Sequence, residues 1–279
     1  MHPRLFGRPL HGRSNVIGPV APPPVAQPIS QSNSNPTTTT TTIYAVSVGN
    51  NYVNDPQLRL SGCFADSAKL LGTLKPVQYA LLKDATFAEL SAAVADMLVR
   101  AKVCYGQQKR AVFWFHYSGH GTQTQAAPNS GESDGRDENI LMTDSLVKDD
   151  WIYDNLVAPF CALAPYVSLV LVFDCCHCGT VCDLDRLAES SKFDPPNVIC
   201  MSACLDSQVA TETAKTNGAF TDAVCRVLLA KPLATNTDML GVYMAEINRQ
   251  LKKYGQTASF ASNAKNDNIV YAKVNSILA

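Results

Sequence analysis

The sequence lacks both an excess of basic residues and any long apolar run. Its 23 basic and 24 acidic residues leave a formal net charge of −1, so it lacks the strongly basic surface typical of nucleic-acid-binding domains. No apolar run approaches the roughly 18 residues that a membrane-spanning helix needs. We therefore expect a protein that binds neither nucleic acid nor a membrane.

Cysteine is present but too sparse for a fold held together by disulfides. The ten cysteines are about 3.6% of the 279 residues (10/279), below the roughly 8–10% of disulfide scaffolds. Residues 1–10 also lack the apolar stretch of an export signal. These observations predict a cytoplasmic protein whose thiols are reduced, with the dense group from Cys175 to Cys182 excepted from that prediction.

Residues 1–42 differ in composition from the rest of the chain. They contain eight of the sixteen prolines, six consecutive threonines at 37–42 and no acidic residue. Such a segment cannot bury enough apolar surface to offset the entropy of ordering it. We expect a disordered Pro/Thr-rich N-terminal arm at 1–42 and one folded domain at 43–279.

From residue 43 onward, apolar runs alternate with amphipathic stretches. The apolar runs predict strands at 43–49, 110–117, 167–173, 197–202 and 268–274. The stretches between them predict helices at 62–74, 86–103, 150–162, 218–230 and 237–253. At the start of the second, Thr86 and Glu89 have the spacing of a capping box. Since the central runs are apolar on both faces, they indicate buried parallel strands. The alternation therefore predicts an α/β fold with helices on both faces of the sheet.

Two reactive residue types follow the two most apolar strands. His120 lies between two glycines after the strand at 110–117, and Cys176 comes shortly after the strand at 167–173. Ligands bind outside the carboxyl ends of the strands in such sheets. An imidazole gives a nearby thiol access to its thiolate, which attacks carbonyl carbon. The pattern indicates nucleophilic catalysis by cysteine, and purely structural roles for both residues are the alternative.

The segments around these residues resemble the histidine and cysteine motifs of the metacaspases, which are clan CD cysteine peptidases. The resemblance rests on Tyr117-Ser118-Gly119-His120-Gly121 and on Asp174-Cys175-Cys176-His177-Cys178-Gly179. It extends over most of residues 43–279, and the N-terminal arm resembles that of type I metacaspases. It implies a caspase-like (caspase-hemoglobinase) fold, which is a three-layer sandwich with a mostly parallel central sheet flanked by helices.

The resemblance also implies roles for individual catalytic residues. Cys176 is the implied nucleophile, and His120 is the implied general base and acid. The implied oxyanion donors are the backbone N–H groups of Gly121 and Cys176, in keeping with the capacity of glycine-rich turns to stabilise developing negative charge. Because this sequence keeps both dyad residues, we expect an active enzyme.

Cleavage after Arg or Lys is a further implication of the resemblance. The acidic S1 pocket of the family matches Asp66, Ser118 and Asp174 in this sequence. Two carboxylates favour a guanidinium or ammonium group and repel an acidic P1 side chain. An ordinary carboxylate near a helix N-terminus is the alternative for Asp66. Arg186 and Lys192 lie in a short polar segment that would suit autoprocessing, and an uncut chain is the alternative there.

Acidic residues are concentrated between residues 132 and 154, which by itself is more typical of a solvated loop than of a metal site. The resemblance implies a Ca²⁺ site at Asp137, Asp149, Asp150 and Asp183. Carboxylate oxygens from separate loops suit Ca²⁺. We expect Ca²⁺ to activate the enzyme by ordering loops rather than by taking part in the chemistry.

The expected function is that of a calcium-dependent, monomeric cysteine endopeptidase acting on proteins or peptides with a basic P1 residue. Two alternatives stay open. One is a catalytically silent caspase-like scaffold that acts through protein contacts. The other is a metal or redox site in the cysteine-rich segment, although the spacing is poor for zinc. Its ligands would be drawn from Cys175, Cys176, His177, Cys178 and Cys182, where Cys178 replaces the serine usual in the family.

Overall fold

The structure, a computed structural model, describes residues 41–127, 135–184, 187–193, 196–203, 218–230 and 239–264. The predicted arm at 1–42, except for its last two residues, and the predicted strand at 268–274 lie outside these ranges. None of the helices in the described ranges has the length and apolar character needed to cross a bilayer.

The described elements alternate between strands and helices along most of the chain. The strands are β1 (Thr42–Gly49), β2 (Gln78–Lys83), β3 (Ala111–Ser118), β4 (Gly121–Gln125), β5 (Arg136–Leu141), β6 (Leu146–Lys148), β7 (Val167–Asp174), β8 (Val198–Ser202) and β9 (Ser259–Ser262). The α-helices are α1 (Cys63–Leu74), α2 (Phe87–Gly106), α3 (Asp149–Ile152), α4 (Ala158–Cys161), α5 (Ala219–Ala230) and α6 (Met239–Leu251). A π-helical turn at Tyr153–Val157 joins α3 to α4, and 3₁₀ turns lie at Glu189–Ser191 and Lys252–Tyr254.

A mostly parallel sheet forms the centre of the fold. Its strand order is β2-β1-β3-β7-β8-β9, and β9 is antiparallel to β8. Alternate residues of β3 enter different cores: Phe113 and Phe115 pack in the core that includes α2, whereas Val112 and Trp114 pack in the core that includes α1, α5 and α6. Since β3 is apolar on both faces, helices must cover both. The structure confirms the predicted three-layer α/β sandwich.

Four predicted strands and all five predicted helices are present in the described residues, with ends shifted by a few residues. The sequence patterns missed β2, β9 and the small antiparallel sheet of β4, β5 and β6. β2 is a half-exposed edge strand, so it lacks the continuous apolar run that marks a buried one. The helix predicted at 150–162 is interrupted by the π-helical turn. Pro159 lies just after that turn, and proline has no N–H to continue the helical bonding.

The N-terminus of α2 forms the capping box that its sequence predicts. The backbone N–H of Glu89 donates to Thr86 Oγ1 at 3.3 Å. In return, Glu89 Oε2 accepts from the backbone N–H of Thr86 at 2.8 Å. Two N–H groups at the start of α2 are thus satisfied, and the helix begins where the chain leaves β2.

Replacing Thr86 should measurably destabilise the domain. We expect Thr86→Ala to lower the free energy of unfolding by about 1 kcal/mol, because the helix loses the side-chain acceptor at its first turn. Thr86→Ser keeps the hydroxyl and should stay close to the parent protein. Urea unfolding followed by circular dichroism measures both, and equal stability of the alanine variant and the parent would contradict the role of the cap.

Candidate active site

Two loops leave the central sheet side by side at its carboxyl edge. β3 and β7 pair in register up to Ser118 and Asp174, so both strands end at the same level. The N–H of Gly119 then donates to the carbonyl oxygen of Asp174 at 3.3 Å. The loop that carries His120 and the loop that carries Cys176 are therefore neighbours, as the strand-end argument predicts.

Gly121 shows how closely these two loops approach each other. A Cβ atom on Gly121 would lie 2.1 Å from the carbonyl oxygen of Cys176 and 3.2 Å from Cys175 Sγ. Only a residue without a side chain fits there. Cys175 is buried, whereas Cys176 is partly exposed. Of these two adjacent thiols, Cys176 is thus the more accessible to a substrate.

The imidazole of His120 is held by the main chain of a segment distant in sequence. His120 Nε2 lies 2.7 Å from the carbonyl oxygen of Leu58. A carbonyl oxygen can only accept, so Nε2 carries the ring hydrogen when the imidazole is neutral, and Nδ1 keeps a lone pair. The ring of Tyr52 also stacks on that of His120, with 5.0 Å between centroids. The ring is therefore both oriented and fixed in one tautomer.

The backbone of His120 is anchored by two tyrosines. The N–H of His120 donates to Tyr52 Oη at 3.0 Å, and Tyr117 Oη donates to the carbonyl oxygen of His120 at 2.7 Å. Burial raises the pKa of Tyr52 to about 12, so its hydroxyl stays protonated and donates to the carbonyl oxygen of Leu141 at 2.7 Å. These bonds fix the loop that presents the imidazole.

Tyr52 and Leu58 were missed from the sequence. Tyr52 has a φ of +50°, a conformation that non-glycine residues seldom adopt. The carboxylate of Asp84 holds this turn by accepting from the backbone N–H groups of Tyr52 at 2.7 Å and Val53 at 3.0 Å. The polar residues Asn50 and Asn51 directly after β1 were the available signal, since β1 ends at the same edge of the sheet.

The three residues predicted for the S1 pocket come together beside these loops. Asp66, in the first turn of α1, is only 1% exposed and accepts from Ser118 Oγ at 2.9 Å. Asp174, the last residue of β7, is 6% exposed. A Cβ on Gly218 would lie 2.2 Å from Asp174 Oδ2 and 3.0 Å from Asp66 Oδ2. Both carboxylates therefore lie next to the same glycine.

The N-terminus of α5 supplies hydrogen bonds to both carboxylates. The N–H of Gly218 donates to the two oxygens of Asp66 at 2.9 and 3.1 Å. Asp174 Oδ2 accepts from the backbone N–H and the hydroxyl of Thr221, at 2.9 and 2.7 Å. Carboxylates are favoured at a helix N-terminus because the helix dipole is positive there. Asp66 thus caps α5, a helix far from its own in sequence, which the sequence did not indicate.

Three of the four residues predicted to bind Ca²⁺ form a compact cluster. One ligand atom from each of Asp137, Asp149 and Asp150 lies within 4.8 Å of the others. Burial, with the nearby charges of Asp183 and Asp137, raises the pKa of Asp149 to about 6. Lys148 forms an ion pair with Asp137. Since the donors are all hard oxygens and repel one another, the cluster fits a divalent cation such as Ca²⁺. Asp183 is buried nearby but outside the compact group.

The cysteine-rich segment does not form a metal site in the described residues. The acidic cluster is the one group of metal-ligating side chains found in this part of the chain. Cys178 Sγ instead donates to the carbonyl oxygen of Cys175 at 2.8 Å, a bond that a serine hydroxyl could also make. Cys182 and Cys200 form a disulfide, so the expectation of a reduced thiol is wrong for Cys200, which lies outside the excepted group from Cys175 to Cys182. Loop residue Cys182 and strand residue Cys200 are 18 positions apart, and nothing in the sequence indicated their pairing.

Of the two residues predicted as autoprocessing sites, only Lys192 lies in the part of the chain that the structure describes. Arg186 lies outside the described residues. Lys192 is half-buried, and the N–H of the next residue, Phe193, donates to the carbonyl oxygen of Asn263 at 2.8 Å. Cleavage at either residue stays a prediction.

The chain is similar to known proteins in sequence and in fold. The sequence profile of the family described as "Caspase domain" matches residues 42–269. Metacaspase-5 of Trypanosoma cruzi is 27% identical over 261 residues, which cover 79% of this chain and 57% of that protein. Metacaspase III c of Phaeodactylum tricornutum is 33% identical over 165 residues, which cover 53% of this chain and 46% of that protein.

A crystal structure of a Geobacter sulfurreducens protein has the same fold, with a TM-score of 0.56, 22% sequence identity, and coverage of 83% of this chain and 97% of that one. This chain spans less than two thirds of the length of both metacaspases. The family profile nevertheless matches well over half of this chain and includes both strand-end loops. The chain belongs to the caspase-domain family of cysteine peptidases.

Proposed function

We propose that this chain is an endopeptidase that uses a Cys176–His120 dyad, cleaves protein substrates after Arg or Lys, and depends on Ca²⁺. The observation that carries the proposal is the packing of the His120–Gly121 loop against Cys176 at the carboxyl edge of the sheet. Two buried carboxylates, Asp66 and Asp174, lie at the same edge. A thiol, an imidazole and a site for a cation are the parts that this reaction needs.

The dyad chemistry follows from the orientation of His120. Because Nε2 donates to the carbonyl oxygen of Leu58, Nδ1 is left to take the proton of the Cys176 thiol. The thiolate attacks the scissile carbonyl carbon, and the N–H groups of Gly121 and Cys176 stabilise the oxyanion. The imidazolium then protonates the leaving amine, which leaves a thioester. Water, deprotonated by the same imidazole, hydrolyses the thioester and restores the thiol.

The carboxylates of Asp66 and Asp174 support a preference for a basic P1 side chain. They both lie next to Gly218, and they accept hydrogen bonds from the N–H of Gly218 and from the N–H and hydroxyl of Thr221. A guanidinium can bind such carboxylates with paired, charge-assisted hydrogen bonds. An aspartate at P1 would add a third negative charge and be repelled.

The Ca²⁺ ligands of this proposal are Asp137, Asp149 and Asp150, with Asp183 as the fourth. When bound, the ion would add positive charge to this cluster, in which Lys148 already pairs with Asp137. A contact to the catalytic region also lies close to the cluster: Glu138, the residue after Asp137, accepts from Thr180 Oγ1 at 2.8 Å. Thr180 belongs to the segment that follows Cys176, so order at the cluster would extend to the nucleophile loop.

Peptide hydrolysis tests the whole proposal. We expect a fluorogenic peptide with Arg at P1 to be cleaved in millimolar Ca²⁺, and the same peptide with Asp at P1 to resist cleavage. Cys176→Ala should abolish hydrolysis because the nucleophile is removed. Folded protein with a reduced Cys176 thiol that cleaves neither peptide would favour the silent scaffold instead.

Gly121→Ala should inactivate the enzyme through sterics alone. The new Cβ would overlap the carbonyl oxygen of Cys176, so the nucleophile loop must move. Since a misplacement of about 1 Å can cost about 100-fold in rate, we expect at least that loss in kcat/KM. Gly106→Ala is the matched control, because no atom lies within 4 Å of its new Cβ. A folded Gly121→Ala enzyme with parental activity would contradict the close approach of the two loops.

Calcium should raise the thermal stability of the parent protein. Ligand at about 100 times its Kd stabilises the folded state by about 2.7 kcal/mol, which corresponds to a Tm increase of about 5–10 °C for a domain of this size. The double variant Asp149→Asn with Asp150→Asn should lose this increase. Asp154→Asn is the control, because Asp154 is exposed and outside the cluster. An equal Ca²⁺-dependent Tm increase in the double variant would exclude this cluster as the binding site.

A further inference from the structure

His116 is a buried histidine that the dyad chemistry does not use. It lies on β3, and its side chain is fully buried. Its Nδ1 is 2.8 Å from Ser47 Oγ on β1, and its Nε2 is 3.2 Å from Thr221 Oγ1 on α5. The imidazole thus joins three elements of the fold in the layer below the catalytic loops.

Which atom donates in each of these hydrogen bonds follows from the Asp174 carboxylate, to which Thr221 is bonded. An ionised carboxylate only accepts, so the hydroxyl of Thr221 must donate its one hydrogen to Asp174 Oδ2, 2.7 Å away. Thr221 Oγ1 can therefore only accept from His116, which places the ring hydrogen on Nε2. His116 Nδ1 then accepts from the hydroxyl of Ser47. All three hydrogen bonds therefore run in one direction, from Ser47 through His116 and Thr221 to Asp174.

The hydrogen-bonded series Ser47, His116 and Thr221 carries no positive charge. Burial lowers the pKa of His116 to about 3, so the imidazole is neutral at any pH at which the protein would work. A hydroxyl that accepts from a fixed N–H also loses the freedom to rotate. Ser47, His116 and Thr221 therefore orient the Asp174 carboxylate without themselves placing a positive charge beside it.

We propose that Ser47, His116 and Thr221 form a hydrogen-bond relay that positions the Asp174 carboxylate and thereby sets the selectivity for a basic P1 side chain. This inference rests on the proposed function for the identity of the substrate. The three residues are positioning residues, because they act through Asp174, which together with Asp66 would contact the P1 side chain. The relay gives a role to three buried polar side chains in the layer that also contains Val112 and Trp114 of β3.

The first test concerns the relay itself and needs no activity. Long-range ¹H–¹⁵N correlation spectra of histidine-labelled protein distinguish the two neutral tautomers of each imidazole, and His116→Gln assigns the signal. We expect His116 to carry its hydrogen on Nε2 at pH 7, and to stay neutral down to pH 5. A hydrogen on Nδ1 would reverse the donor order and overturn the relay.

The second test measures selectivity with two peptides that differ only at P1, one with arginine and one with its neutral isostere citrulline. Thr221→Val keeps the shape of the side chain but removes the hydroxyl. We expect it to raise KM for the arginine peptide about tenfold, with kcat and the rate on the citrulline peptide within twofold of the parent. Thr221→Ser should restore the arginine preference, since it returns the hydroxyl.

Controls separate failure of the relay from failure of the proposed function. Thr73→Val is the same substitution on α1, where the hydroxyl donates to the carbonyl oxygen of Lys69 and not to Asp174; it should leave the arginine preference unchanged. An unaltered arginine preference in folded Thr221→Val would overturn the relay alone. A parent enzyme with no preference for arginine over citrulline would overturn the proposed S1 pocket and, with it, the selectivity role of the relay.

Discussion

The pairing of β3 with β7 is the constraint on which the rest of the candidate site depends. The two strands run parallel, from Ala111 beside Val167 to Ser118 beside Asp174, and both are buried along their whole length. Because they end in register, the chain must turn away from the sheet at the same level in both places. This register brings together the loops that carry His120 and Cys176, although 56 residues separate these two residues in sequence. A shift of one residue would move every side chain of a strand to the opposite face.

The carboxylates at this edge link the proposed recognition of a basic P1 side chain to the folding of α5. Asp66 and Asp174 accept hydrogen bonds from Gly218 and Thr221, which lie at the start of that helix. The same carboxylates therefore serve two purposes: they accept hydrogen bonds from the first N–H groups of α5, and they would supply the negative charge of the proposed pocket. A buried, like-charged pair is unfavourable unless its oxygens are bonded, and the N-terminus of α5 provides those donors where the helix dipole also favours negative charge.

The parts of the fold that could be predicted are those with a local signature. β3 and β7 have continuous apolar runs, Thr86 and Glu89 form a capping box, and the strand-end rule placed His120 and Cys176 at one edge. Edge strand β2 escaped prediction because half-exposed strands lack such a run. Thr221 lies 105 residues from His116, so their contact depends on how α5 packs, which no local pattern contains. Likewise, nothing local could place Asp183 apart from the three clustered aspartates.

The contact between His120 and the carbonyl oxygen of Leu58 gives the site an unusual kind of robustness. An orienting group that belongs to the main chain cannot be removed by exchanging one side chain for another. The contact is sensitive to the path of the chain instead, which the Tyr52 turn and its Asp84 anchor determine. Single-residue substitution at position 58 thus leaves the acceptor in place, whereas insertion or deletion between β1 and α1 displaces it. If His120 is catalytic, selection would therefore act on the number of residues between β1 and α1 more than on which residues they are.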